Sequence, residues 1–131
     1  MLEWFRKKPV PLTGAPTVRR QKTYSAQSGY VYQYFYEGHR RASPPPGAEY
    51  VFDVSADRKT SSPVSVFVSD EAVASWESQR GRALSGTEGY ALAKMALFQA
   101  FDEREDPAAM RDAVRVEVAD VQGILANLNI D

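Results

Sequence analysis

Three stretches of the chain alternate apolar and polar residues with the period of two that a half-buried strand requires. The first, at about 24–37, contains "YVYQYFY" at 30–36, five aromatics in seven positions. The second is "EYVFDVS" at 49–55, where Tyr50, Phe52 and Val54 alternate with Val51, Asp53 and Ser55. The third is "VSVFVS" at 64–69, where Val64, Val66 and Val68 alternate with Ser65, Phe67 and Ser69. "SPPPG" at 43–47 and "DRKTSSP" at 57–63 supply turns between them. Alternating runs with short, turn-rich connections predict an antiparallel meander.

The period then changes to that of a helix. Ser69 is a cap candidate, with Asp70 and Glu71 where the helix dipole favours acid. Val73, Trp76 and Arg80 follow at helical spacing, and Gly81 is the stop. "SGTE" at 85–88 is a capping box that opens a helix over roughly 86–104. Tyr90, Ala93, Leu97, Ala100 and Phe101 share one side of it, with Phe98 at the margin. That side should cover the sheet, although Leu92 and Met95 fall among the polar residues. Asp106 and Pro107 restart the chain as cap and first helical residue. "VRVEVAD" at 114–120 predicts a short fourth strand, because β-branched residues at alternate positions disfavour a continuous helix. Asp120 is the expected cap of a last helix carrying Val121, Ile124, Leu125 and Leu128. The expected fold is α+β, an antiparallel three- to four-stranded sheet (a meander) with helices packed on one face. Residues 1–22, rich in proline and arginine, are expected to form a flexible basic N-terminal arm, and 23–131 a single domain.

In a strand, Tyr30, Tyr32, Tyr34 and Tyr36 share one face, and Val31, Gln33, Phe35 and Glu37 the other. Gly29, Tyr30, Tyr32 and Phe35 match fragments of the signature with which RNA-recognition motifs stack bases. The leading basic residue, the small residue and the interior valine are missing, and no helix precedes the strand, so that family is not assigned. Tyrosine suits a core wall with a wet margin. The tyrosine face is therefore expected beneath the helices, beside Phe52, Val54, Val64, Val66 and Val68. Val31, Phe35, Val51 and Phe67 then occupy the outer face, an apolar patch larger than scattered exposure explains. Together with the Trp4 and Phe5 of the arm they form the candidate interaction surface. The arm, a second copy or another protein would cover it.

Composition adds little to this and removes much. The 131 residues, 44% hydrophobic and 25% charged, suit one globular domain with its own core. Residues 1–60 hold ten Lys/Arg against five Asp/Glu, and 61–131 hold six against twelve. The basic half raises nucleic acid as an alternative partner, with Arg19, Arg20, Lys22, Arg40 and Arg41 as candidate contacts. There is no cysteine, hence no disulfide or thiolate chemistry. The start of the chain lacks the apolar core of a signal peptide and no membrane span is expected, so a soluble cytoplasmic protein is the default.

His39 is the only histidine. After Gly38 and beside two arginines it reads as a solvated turn residue, since a site needs partners in named roles. Asp102, Glu103, Glu105 and Asp106 bunch together but lack the spacing of a calcium loop. No phosphate-cradling loop or nucleophile elbow appears. No catalytic residue, metal site or cofactor is expected. The leading expectation is a non-catalytic protein-interaction module, with self-association through the open sheet face as one form. The alternative is a nucleic-acid-binding module, and a weaker one an enzyme of unknown reaction.

Overall fold

The computed structural model describes residues 10–131. In chain order its elements are β1 (Lys22–Ser25), β2 (Val31–Ala42), β3 (Gly47–Ser55), β4 (Ser62–Ser69), α1 (Asp70–Arg80), α2 (Gly86–Glu103), a 3-10 helix (Pro107–Arg111), β5 (Val114–Val116) and α3 (Val118–Asn127). The strands form one five-stranded sheet in the order β1-β2-β3-β4-β5. The first four make the antiparallel meander.

The expected sheet is corrected in two respects. It has a fifth strand, because the 24–37 run is two strands: Ala26 N–H bonds to the Tyr30 carbonyl and turns the chain between β1 and β2. It is also mixed, since β5 runs parallel to β4. The chain travels from one to the other through two α-helices and the 3-10 helix, and such a crossover allows parallel pairing.

The helix punctuation follows the side chains named above. The Ser69 side chain accepts from Ala72 N–H at the start of α1, and Gly81 closes it in the left-handed conformation. Ser85 and Glu88 form the reciprocal capping box of α2. Asp106 caps the 3-10 helix, whose first residue is Pro107. The last helix begins earlier than expected. Glu117 is its cap, and Asp120, inside the first turn, accepts from the Glu117 N–H at 2.8 Å.

The core lies between the sheet and the helices. Tyr32, Tyr34, Phe52, Val54, Val64, Val66 and Val68 meet Trp76, Ala93, Leu97 and Phe101 in one buried cluster. Tyr32 stacks on Phe101 with ring centroids 4.1 Å apart. Tyr34 meets Phe52 edge to face, and Tyr36 is half-buried against Phe52 and Tyr90. The tyrosine face therefore packs inward, with one exception. Tyr30 precedes β2 in the turn and is exposed. Leu92 is fully buried although it falls off the main apolar face, because α2 touches α3 as well as β4 and β5.

The irregularity that matters most lies in β2. Tyr36 opposes Phe52 and Gly38 opposes Val51, so Glu37 is an extra residue, a bulge. A one-residue slip exchanges the faces of every side chain beyond it. Past the bulge, His39 joins Tyr36 on the helix side and Arg40 points outward. Gly38 has φ +118°, and a Cβ there would stand 2.6 Å from the Thr13 carbonyl oxygen, so both backbone angle and space call for glycine.

Candidate functional site

His39 lies within β2 and not in a turn, which corrects the sequence expectation. Its backbone exchanges two hydrogen bonds with Thr13 of the arm, at 2.9 and 2.8 Å. Gly14 follows at φ +81° and runs so close over the imidazole that a Cβ would stand 2.7 Å from Cε1. The arm is thus anchored to the β2 margin at His39, and that contact is built from backbone and glycine.

Around that anchor opens a cleft of about 460 Å³, within the usual size range of ligand pockets. Tyr36, His39 and Tyr50 line it from the sheet, Gly86, Thr87 and Tyr90 from the start of α2, and Gly14 and Pro16 from the arm. The Tyr36 hydroxyl lies 3.1 Å from His39 Nδ1. The Tyr36 and Tyr90 rings are 4.7 Å apart, and those of His39 and Tyr50 5.6 Å. Burial pushes the Tyr36 phenol up to about 12 and raises those of Tyr50 and Tyr90, so all three keep their protons at neutral pH. Among the described residues, no carboxylate, ammonium or guanidinium lines the cleft. It is an aromatic surface with protonated hydroxyls.

Trp4 and Phe5 lie outside the described residues. The other candidate surface residues share the outer sheet face but do not form one open patch. Val31 is exposed, Val51 is buried, and Phe35 and Phe67 are half-buried. The Arg19 guanidinium lies 3.6 Å above the Phe35 ring and pairs with Glu37 and Asp53. Phe67 rests on Gly47, where a Cβ would meet its Cζ at 2.7 Å. Arg40 and Glu49, joined at 2.8 Å and extended by Ser65, separate these side chains. Described arm residues therefore cover part of the face themselves. Gln33, expected as an outward polar side chain, is buried there and its Oε1 has no partner.

Of the candidate nucleic-acid contacts, Arg19 and Arg40 are ion-paired as above and Arg41 pairs with Asp70. Arg20 and Lys22 are exposed. Two more exposed cations, Arg58 and Lys59, project from the β3–β4 turn, where Asp57 gathers the Lys59 and Thr60 N–H groups. In the acidic cluster, Asp102 accepts from the Tyr24 hydroxyl at 2.8 Å and from Gln27 N–H at 2.9 Å, tying the β1–β2 turn to α2. No group of three or more His, Cys, Asp or Glu among the described residues could hold a metal ion. No described helix is long and apolar enough to cross a membrane.

Sequence reasoning missed the cleft because its residues come from four segments and one register slip. The available signal was Gly38 inside an alternating run, a common mark of a bulge. Comparison with protein-family models, curated proteins and solved structures gave no match.

Proposed function

We propose that the chain is a non-catalytic protein-interaction module and that the tyrosine cleft is its gripping surface. The single observation behind this reading is the chemistry of the lining: aromatic faces and protonated hydroxyls, with no carboxylate, ammonium or guanidinium among the described residues. The close Tyr36–His39 pair does not favour catalysis. A phenol acting as base or nucleophile needs a lowered pKa, and burial moves Tyr36 the opposite way. Self-association through the outer face is a second form of the same reading, with Val31 and Phe67 as its uncovered contacts.

Nucleic-acid binding is the second reading, and one observation favours it. Arg58 and Lys59 line a small outer-face cleft with Gln21, Gln33 and Phe35. A photo-crosslinking residue introduced at Thr87, and in a second variant at Lys59, separates the two in cells that make the protein. The proposal expects protein adducts from Thr87, with the crosslinked peptide identified by sequencing. Nucleic-acid adducts from Lys59 with none from Thr87 would overturn it.

A further inference from the structure

We infer that the cleft recognises an extended proline-rich segment of a partner protein, an inference that rests on the interaction-module reading above. Three features point to that occupant. The first is a proline already built into the site, since Pro16 of the arm is one of the residues that line it, as are Tyr36 and Tyr90. Open space of about 460 Å³ remains beside Gly14 and Pro16, the described arm residues of the lining, room enough for a second segment.

The second is the supply of hydrogen-bond donors. Burial keeps the Tyr50 and Tyr90 hydroxyls protonated. Gly86 and Thr87 begin α2, where backbone N–H groups have no partner within the helix, and the Ser85 side chain takes only that of Glu88. The cleft thus offers several donors. A polyproline II segment presents carbonyl oxygens and, at each proline, no N–H that would need an acceptor. An ordinary strand would bury N–H groups against tyrosine rings at a cost.

The third is charge. A charged ligand would lose water in this cleft and meet no carboxylate, ammonium or guanidinium among the described lining residues, whereas proline rings laid on aromatic faces lose little. Proline segments are also already stiff, so less conformational freedom is lost on docking.

The test uses the full 131-residue chain. Decaproline and a ten-residue Gly-Ser peptide are titrated separately while the backbone amide resonances are followed. Decaproline should shift the Gly86, Thr87 and His39 amides, and the Gly-Ser peptide should not. Tyr90→Ala should weaken binding several-fold, up to about tenfold, the loss of roughly one aromatic contact. Thr87→Arg, at an exposed position on the rim, should block the peptide without changing the urea midpoint, which guards against an unfolded Tyr90 variant. No amide shift at millimolar decaproline, or equal shifts with Gly-Ser, would overturn the inference. If decaproline fails while Thr87 crosslinks a non-proline protein segment, the proline assignment falls and the module reading stands. If both fail, both fall.

Discussion

Tyr32 has no exposed surface, yet its hydroxyl has no hydrogen-bond partner. Ring and hydroxyl therefore act in opposite directions on stability, and two substitutions separate them. Tyr32→Ala removes the ring that stacks on Phe101 at 4.1 Å and leaves a cavity between β2 and α2. Truncating a large buried aromatic costs about 3–5 kcal/mol. Tyr32→Phe keeps the stack and removes only the hydroxyl. A buried polar group without a partner costs about 1–3 kcal/mol, so this variant should be about 1–2 kcal/mol more stable than the parent. For a domain of this size the gain corresponds to roughly 3–10 °C in Tm. Urea unfolding followed by far-ultraviolet circular dichroism and by the fluorescence of buried Trp76 reads both variants, with an unchanged m-value as the check on two-state behaviour. A Tyr32→Phe variant that loses 1 kcal/mol or more would refute the reasoning, because the hydroxyl would then be bonded. A neutral Tyr32→Ala would show that the ring is not core.

Gly47→Ala should cost about 1–3 kcal/mol by chemical denaturation, since its Cβ would stand 2.6 Å from the Val68 carbonyl oxygen and 2.7 Å from Phe67 Cζ. Burial raises the Tyr34 phenol from an ordinary 10.0 to about 12. A pKa raised on folding favours the neutral form, so this contribution is complete below pH 10 and is lost as pH rises towards 12. Tyr34→Phe should accordingly flatten the alkaline limb of the stability profile, and an unchanged limb would count against burial as the cause. Binding to single-stranded RNA should be weak at physiological salt, because Arg19, Arg40 and Arg41 are already engaged by carboxylates. A low-micromolar complex whose affinity falls steeply with added salt would move nucleic-acid binding ahead of the protein-interaction reading.

Much of the fold was legible because its signals are local. Ser69, Gly81, Ser85 and Glu88 act within one helical turn of themselves, and each marks the boundary its side-chain chemistry implies. The inward tyrosine face was legible for a related reason, since alternation holds as long as the strand is regular. What failed was long-range or irregular. The parallel pairing of Val114–Val116 with Val66–Val68 joins segments far apart in sequence, and periodicity carries no information about direction. The bulge at Glu37 defeated the period of two, so His39 could not be placed beside Tyr36 from sequence alone. Gly14 looked like linker because its partner, His39, lay on the wrong side of that slip. Val51 and Gln33 were placed on the correct face, but the sequence held no sign that the face is partly covered.

The single bridge between Thr13 and His39 has a consequence for solubility. β1 pairs with β2 only along Val31–Tyr34, so the remainder of the twelve-residue β2 has no strand on that flank. Unpaired backbone groups along a sheet margin are a template on which another chain can add a strand. The arm occupies this margin at His39, and the outward Arg40 is tied back to the Val10 carbonyl at 3.2 Å. The segment therefore acts as a guard against edge-to-edge aggregation. Removing its anchor, for example with Thr13→Pro, would uncover the longest strand of the sheet to other copies of the chain.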